Sequence, residues 1–168
     1  MSREELIAWL RLLNLEFSAS KLRALLERFG DPDGVFSASA AALREVSGIR
    51  EADVAAIERA ARAPVEIPAQ LETGEARLVI AGVSDDYPRP LETLPDPPPA
   101  LFVWGALQER DRFAVSVVGT RKPSTYGRMV AERFTRDLCE AGLTIVSGGA
   151  SGIDTVAHRT AIEVGGRT

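Results

Sequence analysis

Apolar residues recur at helical spacing through the first third of the chain and gather into short continuous runs in the last third. The first pattern predicts a helix over Glu4 to Leu13 and another over Ser20 to Phe29, with Leu22, Leu25, Leu26 and Phe29 on one face and Gly30-Asp31-Pro32 as the stop. Ser39 is placed to cap a helix from Ala40 to Val46, Gly48 breaks it, and Glu51 to Ala63 forms the next before Pro64. Residues 1–63 therefore read as a small all-helical domain, near the size at which a lone core becomes marginal.

The last third alternates differently. Phe113 to Val118 is a β-branched apolar run, followed by the loop Gly119 to Gly127 and a helical pattern from Arg128 to Ala141 with Val130, Phe134 and Leu138 in phase. Gly142 stops that helix, Leu143 to Val146 is a second buried strand, Ser147 to Gly152 a second loop, and Asp154 to Val164 a second helix. Two apolar strands joined through an amphipathic helix imply a parallel sheet with helices on its faces. The fold class expected is α/β, a Rossmann-like domain preceded by the helical one. The Rossmann-like part, residues 113–168, is expected to be a truncated first half, leaving an open sheet edge and a half-covered apolar face prone to aggregation.

Between these lies a segment of another character. Arg77 to Val83 is a short β run and Leu101 to Trp104 a second, separated by a polar turn at Ser84 to Pro90 and by Leu94-Pro-Asp-Pro-Pro-Pro99, which no helix or central strand can contain. Residues 64–112 thus read as linker and sheet-extension strands.

Composition adds that 45% of the 168 residues are hydrophobic and 26% charged, which excludes a wholly disordered chain. One cysteine, Cys139, and one histidine, His158, exclude an internal disulfide framework and an ordinary Cys/His zinc site; no metal or other cofactor is expected. The N-terminus carries Glu4 and Glu5 before an apolar stretch broken by Arg11, unlike a signal peptide or a membrane span, and the cytoplasm is the expected compartment. The net charge of -4 argues against a nucleic-acid partner until it is divided along the chain. Residues 64–112 hold four basic and nine acidic side chains, whereas 113–168 hold seven basic and five acidic. From Gly119 to Arg136, Arg121, Lys122, Arg128, Arg133 and Arg136 face Glu132 alone.

That basic locus takes in the first of the two loops. Ligands of such sheets bind beyond the carboxyl ends of the strands, where both loops fall. Gly119, Thr120, Arg121, Lys122 and Ser124 of the first, and Ser147, Gly148, Gly149, Ser151 and Gly152 of the second, are the candidate binding residues. Glycines allow close backbone approach, hydroxyls donate, and helix N-termini attract anions through unpaired N–H groups and the macrodipole. The first loop lacks G-x-G-x-x-G, and no glycine-Lys-Ser/Thr follows at the Walker A spacing, so dinucleotide and P-loop readings fall away. Ser151, Asp154 and His158 invite a hydrolase reading, but Gly149 to Ile153 lacks the second glycine of a nucleophile elbow. Asp154 is instead expected to cap its helix, and His158 to pack against a loop. Tyr126, followed by glycine at a helix start, is either a base-stacking ring or a side chain packed on the sheet.

In the helical domain, Leu43 to Ile49 with Ala52 to Ile57 resembles a helix-hairpin-helix, whose turn offers N–H groups to a DNA phosphate. Arg50 replaces the second glycine of that turn, and a packing role is the favoured reading. Across the chain, Phe29-Gly-Asp-Pro32, Asp86-Tyr-Pro88, Asp96-Pro-Pro98, Leu101 to Gly105, Val118-Gly-Thr-Arg121, Tyr126-Gly127, Val146 to Asp154 and Ala157-His158 follow one another in an order that resembles the DNA-processing protein A (DprA/Smf) family.

The resemblance implies a SAM-like helical domain joined to an extended Rossmann domain. It also implies a cytoplasmic factor of natural transformation without catalytic activity, which binds and protects incoming single-stranded DNA and helps load a RecA-type recombinase. By the same resemblance Arg121 lies in the single-strand pocket, Gly148 to Gly152 help form it, and a homodimer forms through a part of the Rossmann domain beyond Thr168. Where the family often has leucine and arginine this chain has Gly149 and Ser151, implying weaker DNA binding or binding shifted to Lys122 and Arg128. The alternative from another class is a nucleotide-binding or nucleoside-monophosphate-cleaving Rossmann-like enzyme, whose catalytic glutamate would fall beyond these residues.

Overall fold

A computed structural model describes residues 1–168 and divides them into two compact units, Met1–Ala106 and Leu107–Thr168. In the first, α1 (Arg3–Leu13), α2 (Ala19–Phe29), α3 (Pro32–Ser37), α4 (Ala40–Arg44) and α5 (Glu51–Arg62) follow in quick succession. Local chemistry sets most of the starts. Ser2 and Glu5 form a reciprocal capping box, and the side chains of Ser18, Asp31 and Ser39 each accept from the N–H three residues on. The stop expected at Gly30 to Pro32 is also a start: Asp31 caps α3 and Pro32, with its φ preset, opens it. Leu12, Leu22, Leu25, Val35, Leu43, Val46, Val54 and Ile57 make the shared core, flanked by Trp9, Phe17, Phe29 and Phe36.

The same unit contains the short α6 (Ala69–Glu72), β1 (Ala76–Ile80), the short α7 (Arg89–Glu92) and β2 (Ala100–Trp104). The two strands pair antiparallel, from Ala76 opposite Trp104 to Ile80 opposite Ala100. The expected sheet-extension strands thus pair with each other, in a two-stranded sheet of their own. Their proline-rich connection is anchored by the Tyr87 hydroxyl, which donates to the Pro98 carbonyl at 2.7 Å. On this division residues 64–106 belong with the helices, and the boundary falls after Ala106.

The second unit runs β3 (Ala114–Ser116), α8 (Thr125–Glu140), β4 (Thr144–Val146), α9 (Ile153–Glu163), and then returns to the sheet at Arg167. β3 and β4 are parallel, with Val115 opposite Ile145, and Arg167 bridges in parallel to Thr144 on the other side of β4. The alternation of strand and helix with parallel pairing is a Rossmann-like α/β arrangement. Ile145, Ala157 and Ala161 are fully buried against Leu138 and Cys139, while Ala131, Ile153 and Val156 pack where α8 meets α9. The small side chains at 131, 157 and 161 let these elements close together. Gly142 ends α8 at φ 81°, and the Leu143 N–H reaches back to the Leu138 carbonyl, as in a Schellman motif.

One polar cluster ties the unit together. The Asp111 carboxylate receives both Nε and Nη2 of Arg167, the hydroxyl of Thr144 at 3.1 Å and the N–H of Gln108 at 2.8 Å. The guanidinium hydrogen bond, helped by the Gln108 N–H and Thr144 hydroxyl, holds this carboxyl far below the ordinary aspartate range. Elsewhere much apolar surface stays open: Phe113, Val118, Met129, Phe134, Val146 and Ile162 are all exposed.

Candidate nucleic-acid interface

The two strand-to-helix loops are fastened to each other. From the end of β3 the chain donates the Val117 N–H to the Val146 carbonyl, and from the second loop the Ile153 N–H donates to the Thr120 carbonyl at 3.2 Å. Gly152 makes this approach possible. Its φ is +97°, and a Cβ there would stand 2.3 Å from the Thr120 carbonyl oxygen and 2.6 Å from the Arg121 Cα. Gly119 is matched in the same way to Ile153, whose Cγ1 would lie 2.7 Å from an added Cβ. Ten residues assigned to one site from sequence thus fall in two loops that touch, beyond the carboxyl ends of adjacent parallel strands.

Within that frame the residues divide by what they present. Arg121 and Lys122 are exposed and neither enters an ion pair; the same is true of Arg128 and Arg136, whereas Arg133 approaches Asp137 at 4.0 Å. The Thr120 hydroxyl oxygen accepts from the Lys122 N–H at 3.1 Å, and the Ser124 oxygen accepts from the Gly127 N–H at 3.1 Å as the cap of α8. With Gly127 N–H used by the cap and Arg128 N–H by the Ser124 carbonyl, the N–H groups of Thr125 and Tyr126 are left as open donors of the first turn. An exposed helix start beside unpaired cations has the electrostatics that attract an anion.

The second loop is built differently from the expectation of a matching anion socket. The Ser147 hydroxyl donates inward to the Val117 carbonyl at 2.7 Å instead of facing the site. Helix α9 is entered through Gly152, which has no side chain to cap it, and Asp154 lies inside its first turn instead of capping it. Asp154 is buried, accepts from the Ala150 N–H at 3.3 Å and stands within 2.9 Å of where a Gly148 Cβ would be. Its own carboxylate therefore occupies the positive end of α9. Gly149, at φ 72° with open space around it, and exposed Ser151 remain on the outside of this loop. The first loop carries the free charge and donors, and the second holds it in place.

The hydrolase constellation does not assemble. His158 Nδ1 lies 2.6 Å from the Thr168 hydroxyl, which itself donates to the Ile145 carbonyl, so the ring is tied to the sheet and not to Asp154. The hairpin in the first unit is similarly closed. The Arg50 N–H donates to Asp53 at 2.8 Å, Lys21 Nζ contacts both oxygens of the same carboxylate, and Arg44 pairs with Glu51. Lys21 first and the Arg50 N–H second hold the Asp53 carboxyl below its ordinary value. A phosphate would meet a turn already occupied by a carboxylate. No cluster of three or more His, Cys, Asp or Glu side chains is arranged to hold a metal, and no helix is long and apolar enough to cross a membrane.

One feature escaped the sequence pattern, and one was left open by it. Asp111 and Arg167 are 56 residues apart, and nothing in their spacing marks them as partners. Tyr126, left open between stacking and packing, is 71% exposed, so it does not pack on the sheet.

Comparison with known proteins places these features in context. The chain resembles DNA processing protein DprA of Bacillus subtilis, at 42% identity over 87 residues that make up 51% of this chain and 29% of that protein. It resembles protein Smf of Escherichia coli at 43% identity over 88 residues, 52% of this chain and 24% of that one. Its fold matches the X-ray structure of DNA processing protein A from Streptococcus pneumoniae with a TM-score of 0.67 and 29% identity, covering 93% of this chain and 53% of the other. The chain spans about half the length of that solved protein, and the aligned stretches span less than a third of the two relatives' lengths. A family model for DNA recombination-mediator protein A matches residues 78–168, more than half of the chain, and on that match the chain belongs to the DNA recombination-mediator protein A family.

Proposed function

We propose that this chain is the single-strand DNA-binding part of a DNA-processing protein that acts in natural transformation, protecting incoming DNA and helping to load a RecA-type recombinase. The observation that carries the reading is the first loop: Arg121, Lys122 and Arg128 stand unpaired beside the open N-terminus of α8. Successive phosphates lie against these cations and the Thr125 and Tyr126 N–H groups, and base sequence is largely unread. The names of the relatives, DNA processing protein and recombination mediator, fit DNA as the ligand; the role proposed for it is binding and not catalysis, in the cytoplasm. The homodimer and the recombinase contact belong to the whole protein, and no residue of this chain is assigned to either.

The test is salt-dependent binding of an oligonucleotide in single- and double-stranded form, by wild type and by Arg121→Ala. Each phosphate contact contributes about -0.7 to the log-log salt slope for single strands. The reading predicts single-strand preference and a shallower slope for Arg121→Ala. Equal binding of both forms, or an unchanged slope in the variant, refutes it.

A further inference from the structure

We propose that Tyr126 is a stacking platform for a base of single-stranded DNA, at the edge of the phosphate loop; this rests on the reading of that loop given above. Tyr126 is the second residue of α8, so its N–H is one of the open donors while its ring projects from the same turn. One residue thereby offers a contact for a phosphate and a flat apolar face for a base of the same strand. The ring is 71% exposed, the hydroxyl has no hydrogen-bond partner, and no cation lies over the ring. A large aromatic side chain held in water on a first helical turn has no structural work within the chain.

The charge around it selects the occupant. From Gly119 to Ala131 the chain carries Arg121, Lys122 and Arg128 and no acidic residue. An apolar ring in an unbroken basic field suits a polyanion with aromatic bases, the pattern by which single strands are held without sequence reading. Further along α8 the next exposed apolar residue, Met129, has no aromatic ring, and around Phe134 Glu132 and Asp137 alternate with Arg133 and Arg136. The mixed charge ends the argument for DNA, so the platform is confined to the first turn. In a duplex the bases are already stacked on one another. Tyr126 therefore adds affinity for single strands alone and widens the strand preference that the reading above already predicts.

The experiment measures binding of an oligothymidine and of an abasic oligonucleotide with the same number of phosphates, across a salt series. Tyr126→Ala should weaken oligothymidine binding about fivefold or more with no change of salt slope, because stacking is not a counterion effect. Tyr126→Phe and Tyr126→Trp should bind like wild type, since the ring and not the hydroxyl acts. The abasic strand should bind wild type and Tyr126→Ala equally. Tyr126→Leu, which keeps apolar bulk without a ring, carries the same expectation as alanine and serves if the alanine protein does not fold. If Tyr126→Ala or Tyr126→Leu binds oligothymidine as wild type does while Arg121→Ala lowers affinity and slope, the platform is refuted and the phosphate reading stands. If Arg121→Ala changes nothing, the phosphate reading itself fails. Altered sedimentation of the Tyr126 variants with unchanged DNA binding assigns the ring to a protein contact and also overturns the proposal.

Discussion

Gly152 faces the Thr120 carbonyl so closely that an added Cβ would lie 2.3 Å from its oxygen. This contact, and not the glycine content of the loop as such, keeps the two loops in register. Gly152→Ala must move the Arg121 backbone and also adopt a φ of +97°, whereas Gly149→Ala meets open space and faces only the strain of φ 72°. The expectation is about 1–2 kcal/mol lost for Gly149→Ala with near-normal DNA binding. Gly152→Ala should lower the melting temperature further and abolish binding. Thermal unfolding and oligonucleotide titration of both variants decide the point, and equal behaviour of the two would contradict it.

Charge on α8 and in the loop before it should act by place. Lys122→Ala and Arg128→Ala remove unpaired cations and should each make the single-strand salt slope shallower by about 0.7. Arg133, whose guanidinium approaches Asp137, should change the slope little when replaced by alanine. In the first unit, Arg50→Ala should leave DNA affinity unchanged because the hairpin turn is closed by Asp53. Asp53→Ala should cost about 1 kcal/mol of stability through the lost cap without touching DNA binding.

The Asp111 carboxyl is held well below its ordinary value, chiefly by Arg167. The unfolded chain therefore takes up the proton first as pH falls, and the stability from this pair is fully present above about pH 4 and lost below it. Acid unfolding of the second unit should steepen in that range. Asp111→Asn should flatten the acid limb and lower stability at neutral pH by about 2 kcal/mol. An unchanged limb would show that Asp111 is not the titrating group.

Exposed Phe113, Val118, Met129, Phe134, Val146 and Ile162 leave the second unit with an uncovered apolar surface. Concentration-dependent self-association is the expected outcome, read by sedimentation, and Phe134→Glu should reduce it. A monomer at all concentrations would mean that this surface is covered.

The helices were legible because their signals are local. Ser39 capping α4, the apolar stripe of α2 and Gly142 ending α8 each act within one or two turns. The parallel sheet followed from the two apolar runs, although β3 covers only Ala114–Ser116 of the six residues expected. The candidate loops were legible, both as glycine-bearing and the first as basic, but the inward use of the second loop's polar groups was not. Whether a serine faces the ligand, as Ser147 does not, or a carboxylate fills its own helix start, as Asp154 does, depends on contacts made after the chain has folded back.

Arg167 meets Asp111 by its side chain and β4 by its backbone, where its carbonyl accepts the Ile145 N–H at 2.8 Å. The pair thus closes the 56-residue span between its members at the amino ends of the parallel strands, and the two loops at the opposite ends are carried on a frame that is locked from behind.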